Sequence, residues 1–497
     1  MSTHRASTTG GTVADPRRFR ALAVIVLAQL MVVLDASIVT VALPSAQTGL
    51  HISVADRQWV FTAYSLAFGG MLLLGGRIAD FVGRKRTFEI GLVGFAAASA
   101  LGGLAQSEAM LFAARALQGG FAALLAPAAL SLLTVTFTDP KEQARAFGIY
   151  GAISGGGISI GLIMGGMLTQ WASWRWTMLV NVPIAIVALV GSRLLVTESK
   201  AEGKAHYDLL GTATVTAGLV ALVYGSTKAE SNGWTSGTTL TLLALGVILL
   251  AAFVIIEART KHPLLPLRVL ADRTRGGAFL ANLLTIAGMF STFLLLTYYF
   301  QGILGYSALK TGLAYLPYSI GTFVGATVAG KVMARIGART LLVGSMVLGA
   351  VGLVLFAQLD THSGFASHVL PAEIITSLAL GLAIVPLTSA ALVGVAPADA
   401  GVASALVNTT QQVGNSLGVA LLNTIAATAT AGYIADHGTS AAAHSAGLVH
   451  GYDIAFIVAA AFLAVSALVS LLLVRTRRQD MTLGGGPEVF TELAEVI

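Results

Sequence analysis

Hydrophobic residues in this chain gather into long runs, and polar residues into short breaks between them. Inside a run of bilayer length, alternation of apolar and polar positions carries little information, so length becomes the criterion. On that criterion the sequence predicts fourteen spanning helices, at 19–43, 57–76, 88–106, 109–136, 143–170, 176–196, 208–226, 238–257, 276–303, 311–334, 339–358, 370–395, 400–432 and 452–474. The runs 109–136, 143–170 and 400–432 exceed about 25 residues and must tilt or extend beyond the lipid. The expected fold class is an all-α polytopic membrane protein.

One polar break occurs twice. Gly75-Gly76-Arg77-Ile78-Ala79-Asp80-Phe81-Val82-Gly83-Arg84-Lys85-Arg86-Thr87 lies between two apolar runs, and Gly330-Lys331-Val332-Met333-Ala334-Arg335-Ile336-Gly337-Ala338-Arg339-Thr340 repeats its pattern with Ala334 in place of Asp80. A second echo pairs Gly157-x-x-x-Gly161 with Gly414-x-x-x-Gly418, a spacing that lets helices approach closely. Duplication at half-chain spacing predicts two six-helix bundles in parallel orientation. Their expected bounds are 1–196 and 274–478, with two inserted helices in 197–273 and a polar tail at 479–497.

Charge then fixes the orientation. With fourteen spans, 24 of the 29 Lys and Arg fall on one side, while Arg57, Arg175, Lys228 and Lys310 fall on the other and Arg115 alone lies within a span. Short cationic loops stay cytoplasmic, so both termini are expected in the cytoplasm and the chain in the cell membrane. The net charge of +6 is thereby a topological signal, which removes the reading of a nucleic-acid binder. Composition agrees: 56% of residues are hydrophobic and 10% charged, against about 25% charged in soluble domains. The polar first 20 residues lack an apolar signal core, so the first run reads as a retained helix. There are no cysteines, hence no disulfide or thiolate site, and no phosphate-binding Gly-x-x-x-x-Gly-Lys-Ser/Thr motif. No cofactor or metal is expected. The segment 433–451, with His437, His444 and His450, reads as a solvated outer loop.

Few polar side chains remain inside the spans, and those few are the candidates for function. Asp35 sits about 12 Å below the expected outer end of the first helix, Leu43. A carboxylate near a helix centre costs about 2.5–3.5 kcal/mol to insert, so it faces a cavity or a partner. Arg115 stands about 9 Å below the outer end of the fourth helix, at similar depth. The two can neutralise each other, as a coupling device or as a static packing pair. The fifth helix carries Gly151, Gly155, Gly156, Gly157, Gly161, Gly165 and Gly166, which points to close packing with a bend. Glu373 is either a boundary residue or a cavity acid. Asn408, Gln411, Gln412 and Asn415 form a polar stripe that contacts substrate or bridges helices. Tyr298, Tyr299 and Tyr306 read first as an interfacial aromatic belt.

Several stretches together carry a resemblance. Gly76-x-x-x-Asp80-x-x-Gly83-Arg84-Lys85-Arg86 is similar to the loop between helices 2 and 3 of the major facilitator superfamily. Leu34-Asp35 through Ala42-Leu43-Pro44, Arg115-x-x-Gln118-Gly119, Trp174-Arg175-Trp176 with Asn181-Val182-Pro183, and Tyr298-Tyr299-Phe300-Gln301 through Gly305-Tyr306-Ser307 resemble motifs of its fourteen-helix drug:proton antiporters. The resemblance implies proton-coupled export of hydrophobic, often cationic drugs or antibiotics, by a chain that functions as a monomer with small molecules, protons and the bilayer as partners. It implies coupling by Asp35 and Arg115 and a substrate cavity with Asp35, Gln118, Glu373, Asn408 and Gln411. It also implies a cytoplasmic latch of Gly76, Asp80, Gly83, Arg84, Lys85 and Arg86, and helix-5 packing and bending at Gly157, Gly161, Gly165 and Gly166. One position departs: Leu162 follows Gly161 where the family's fifth-helix motif carries proline. Export of an endogenous metabolite or lipid, and proton-coupled uptake, stay open as alternatives.

Overall fold

A computed structural model describes residues 18–54, 56–200, 208–260, 263–396 and 399–475, and the regular structure among them is helical throughout. The N-terminal segment and the tail 479–497 lie outside the described residues. The helices run α1 (Arg18–Leu50), α2 (Trp59–Val82), α3 (Arg84–Gly103), α4 (Glu108–Thr136), α5 (Pro140–Trp171), α6 (Trp176–Leu179), α7 (Asn181–Leu195), α8 (Leu209–Asn232) and α9 (Gly237–Arg259). They continue with α10 (Leu267–Ala271), α11 (Arg273–Tyr298), α12 (Ala308–Ala314), α13 (Leu316–Ile336), α14 (Ala338–Phe356), α15 (Leu370–Leu392), α16 (Ala400–His437) and α17 (Ala441–Leu473). Two π-turns, Tyr299–Ile303 and Phe365–Val369, extend α11 and precede α15.

Local chemistry sets many of these boundaries. Ser107, Asp208, Ser236, Asp272, Ser307 and Ser440 each accept a backbone N–H of the first turn of α4, α8, α9, α11, α12 and α17, as good N-caps do. The duplicated loop is the same turn twice. Its second glycine breaks α2 from α3 at Gly83 (φ 124°) and α13 from α14 at Gly337 (φ 84°), in a region that residues with a Cβ rarely enter.

Among the described residues, twelve helices are long and apolar enough to cross a membrane. The expected spans 88–106 and 311–334 correspond to α3 and α13, which have span length but fall short of that apolarity. Glycines, threonines and the terminal cations dilute both.

Two expectations need correction. α1 does not end at Leu43 but continues through Pro44 to Leu50; proline ends most helices, yet this one is accommodated near the end of a long span. The segment 433–451 is not an irregular loop, because α16 runs to His437 and α17 starts at Ala441. His437 stacks on Tyr433 at 4.0 Å, and no group of three or more His, Cys, Asp or Glu able to hold a metal occurs among the described residues.

Packing sorts the helices into neighbourhoods. α2 and α3 pack on α4, and α1 on α5 and α7. One hydrophobic cluster takes all its buried members from residues 21–196. Further along the chain, α11 packs on α16 and α17, α13 and α14 on α15, and α14 on α17. α8 and α9 pair with each other, and α8 lies against both α2 and α16, beside the line where those two helices meet.

Candidate functional site

The break at Val180 separates α6 from α7 and puts Asn181 at the first position of α7. Its side chain there reaches Asp35 of α1, which is also met by residues of α4. Asp35 of α1 is fully buried, and its Oδ1 accepts from Asn181 Nδ2 at 2.8 Å and from Gln118 Nε2 at 2.9 Å. Its Oδ2 accepts from Arg115 Nη1 of α4 at 2.6 Å. Arg115, itself buried, also donates from Nη1 to Gln118 Oε1 at 2.8 Å and from Nε to the Val60 carbonyl at 2.8 Å. Its guanidinium carbon stands 4.5 Å from the centre of the Tyr64 ring, and Gln118 Nε2 reaches Ser99 Oγ of α3 at 2.7 Å.

This is an ion pair whose desolvation is compensated on all sides. Isolated, either charge would be expensive in this environment; here three donors meet the carboxylate, three acceptors meet the guanidinium and two meet the Gln118 amide nitrogen. Glycine makes the geometry possible. A methyl group on Gly119 would stand 2.1 Å from the Tyr64 carbonyl, and one on Gly75 would stand 1.9 Å from that of Ala123. The backbones of α2 and α4 therefore touch, which brings Val60 and Tyr64 within reach of Arg115.

The sequence reading placed Asp35 and Arg115 at similar depth, and the structure brings them into contact together with Gln118. It missed Asn181 as a partner. The available signal was an amide two residues ahead of Pro183 in an otherwise apolar run.

At the duplicated loop, Asp80 pairs with Arg84 at 3.3 Å within a single turn of chain. A second acid, Glu198 from beyond α7, accepts the backbone N–H groups of Lys85 and Arg86, each at 3.1 Å, and thereby caps α3. The Ser199 carbonyl accepts from Arg84 N at 2.9 Å, and Lys85 Nζ donates to the Arg193 carbonyl at 3.3 Å. Glu198 was not singled out from the sequence. A methyl group on Gly83 would stand 2.7 Å from its carboxyl oxygen, whereas Gly76 has only Pro127 at 3.7 Å.

Four of the fifth-helix glycines are contact points, whereas a methyl group on Gly151 or Gly156 would meet nothing within 4 Å. Methyl groups on Gly157, Gly161 and Gly165 would meet Val33, Ser37 and Ile38 of α1 at 3.0, 1.9 and 2.7 Å, and one on Gly166 would meet Ala308 of α12 at 2.7 Å. Gly414 and Gly418 of α16 press on the Leu283 and Ala287 carbonyls of α11 in the corresponding way, at 2.4 and 2.3 Å.

Glu373, Asn408 and Gln411 do not join the Asp35 network. Asn408 is exposed and its amide bonds back to the Ser404 carbonyl at 3.2 Å, and Gln411 is half-buried. Farther along the stripe, Asn415 Nδ2 donates to Ser65 Oγ of α2 at 2.9 Å, so that part of it bridges helices. Glu373 is fully buried, and neither carboxyl oxygen has a hydrogen-bond partner among the described residues.

The tyrosines depart from a simple interfacial belt. Tyr299 is buried and donates to the Asp360 carbonyl at 2.8 Å. Tyr298 donates to Gln47 Oε1, and its ring lies 3.8 Å under the guanidinium of Arg57, whose Nε donates to Asn423 Oδ1 at 2.9 Å. Gln301 Nε2 donates to the Val41 carbonyl at 3.0 Å. These contacts clasp the C-terminal end of α1 and the start of α2 to α11 and α16.

Comparison with known proteins agrees with this architecture. Over 468 residues the chain is 50% identical to the puromycin resistance protein pur8 of Streptomyces alboniger, covering 94% of this chain and 93% of that one. It is 38% identical to the cephamycin export protein CmcT of Amycolatopsis lactamdurans, covering 95% and 96% of the two chains. Among solved structures, a bacterial homologue of the human lysosomal transporter Spinster shares the fold with a TM-score of 0.64 at 16% identity, covering 95% of this chain and 99% of that one. The family model described as Major Facilitator Superfamily matches residues 25–419 and again 278–496. The chain belongs to the Major Facilitator Superfamily.

Proposed function

We propose that this chain exports antibiotic-like small molecules from the cell in exchange for protons, without converting them chemically. The observation that carries the reading is the near full-length likeness to pur8, supported by CmcT. In this reading residues 1–196 and 274–478 are the two six-helix bundles, the segment 197–273 inserts two further spans, and both termini face the cytoplasm. Fourteen spans then include α3 and α13, and a single chain is the functional unit.

The contacts among Tyr298, Gln47, Arg57, Asn423, Gln301 and Val41 join the two bundles at the end assigned to the outside. Alternating access requires such a clasp to open and close around a central site. The coupling role falls to Asp35 with Arg115, because they form a buried charge pair at the meeting point of α1, α3, α4 and α7. Asn408 and Gln411 are the proposed substrate-facing groups of α16. The deciding experiment measures puromycin efflux from proteoliposomes under an imposed pH gradient. Efflux that collapses with the gradient, and is lost in Asp35→Asn, is expected. Puromycin accumulation driven by an inward proton gradient in the same direction would mean uptake symport, and an unchanged rate in Asp35→Asn would move coupling elsewhere.

A further inference from the structure

The two halves handle their buried carboxyl groups in opposite ways. Asp35 is met by donors on both oxygens, whereas Glu373, in the first turn of α15, is fully buried with both oxygens unpartnered. The hydroxyl of Tyr318, on α13, is also buried without a partner, and it lies within electrostatic reach of Glu373. A lone carboxylate in an apolar setting without hydrogen bonds is very costly, so the group must carry a proton or take a counter-cation.

The surroundings decide between these occupants. Tyr315, the other nearby titratable group of α13, already uses its hydroxyl on Thr297 Oγ1 at 2.8 Å and on the Phe293 carbonyl at 2.7 Å. Lys331 and Arg335 of α13, Arg339 of α14 and Arg273 and Arg275 of α11 stand at the opposite ends of their helices. His437 ends α16 and is exposed, and His368 of the π-turn before α15 is exposed and bonded to Ser367. Among the described residues, therefore, no fixed cation serves Glu373. Below it, α13 and α15 touch backbone to backbone: a methyl group on Gly381 would stand 2.2 Å from the Thr322 carbonyl, and one on Gly325 would stand 2.6 Å from that of Leu378. Apolar Phe300, Val369 and Ala372 pack close by. With full burial, two unpartnered oxygens and no fixed cation alongside, a bound proton is the occupant that neutralises the group.

We infer that Glu373 is a proton-binding site of the C-terminal half, distinct from the Asp35–Arg115 pair. It holds a carboxylic acid while α13 and α15 are packed as here. It exchanges that proton with water when their packing opens, by breaking one O–H bond and leaving a carboxylate that water and the Tyr318 hydroxyl can solvate. The inference rests on the antiport reading only for the destination of the proton, not for its presence.

The test is infrared difference spectroscopy on the purified full chain in liposomes, across pH steps and without substrate. A deuterium-sensitive carboxylic acid band at neutral pH is expected to vanish in Glu373→Gln, to move in Glu373→Asp and to persist in Asp35→Asn. A spectrum unchanged by Glu373→Gln, in a variant that stays monodisperse, would overturn the inference. Proton and substrate fluxes in the same liposomes supply a second readout: Glu373→Gln should lower protons moved per substrate at least twofold while substrate exchange continues. An unchanged proton count with selective loss of cationic over neutral substrates would overturn the inference and make Glu373 a counter-ion instead. Should the wild-type chain move no protons, the antiport reading fails while the infrared band still decides Glu373.

Discussion

Replacing Asn181 with leucine isolates the group that ties α7 to the buried charge pair. Asp35 Oδ1 accepts from Asn181 at 2.8 Å and from Gln118 at 2.9 Å, so the variant removes one of its two donors. Water cannot substitute at a fully buried carboxyl. A hydrogen bond to a charged group contributes about 1.5–3 kcal/mol. Part of that is offset, because Asn181 Oδ1 is itself buried without a partner and leucine removes its desolvation cost. The low end, about 1.5 kcal/mol or a tenfold change in an equilibrium, is therefore expected. Apparent stability of the purified protein would be compared in two backgrounds, native and Asp35→Asn. The loss should shrink to below about 0.5 kcal/mol when the charge is absent, since the pairwise coupling is then gone. Equal losses in both backgrounds would show that Asn181 matters only for starting α7, and the network argument would be wrong.

Two further outcomes are expected. Because the chain has no cysteine, single cysteines at the exposed positions Lys200 and Thr439 should react with an impermeant maleimide from opposite faces of the membrane; labelling of both in intact cells would break the fourteen-span arrangement. The Arg268 guanidinium, bonded to Asp399 at 2.8 and 2.9 Å, holds that carboxyl below its usual range, so the tie between α10 and the start of α16 is fully present above the ordinary aspartate pKa of about 3.9 and is lost as pH falls through the lowered value. Amide exchange in 267–271, corrected for intrinsic rates, should accelerate on acidification in the native chain and stay flat in Arg268→Gln.

Much of the helical architecture was legible because lipid imposes a length rule that a single sequence can display. The duplicated loop was legible for a different reason: its glycines at Gly83 and Gly337 are needed by backbone conformation. What length could not reveal was where a helix continues past an expected stop. Pro44 and the histidines near 437–450 look like terminators or loop residues, yet α1, α16 and α17 run through or up to them. In the site, depth along two helices was enough to align Asp35 with Arg115. It could not identify Asn181 or Glu198, because each acts from a neighbouring segment whose rotation and approach are set by packing. Tyr298 and Tyr299 misled for the same reason, since aromatic residues at a span end suit an interface equally well as a clasp.

The placement of hydrogen bonds and glycines also constrains which parts of the molecule can move together. The Asp35 network fastens α1, α3, α4 and α7 through side chains buried beyond the reach of water, and adds α2 through the Val60 carbonyl. Displacing one of these helices alone would strand a charge, at a cost of about 3–5 kcal/mol for a broken buried pair. They are thus expected to move as one body. The contacts between α5 and α12 are of another kind: Gly166 meets Ala308, and Gly312 meets the Leu162 carbonyl at 2.4 Å for an added methyl, with no charged group at either point. At the exposed edge of the seam Gln170 Oε1 accepts from Leu309 N at 3.3 Å, where water can replace it, so these contacts can separate without stranding a buried polar group. Rearrangement between the halves should therefore follow the α5–α12 seam and leave the charge network intact. Joining Gln170→Cys to Leu309→Cys, a pair whose native residues meet across this seam, with a short bifunctional thiol reagent should arrest transport; continued turnover with that seam locked would place the moving boundary elsewhere.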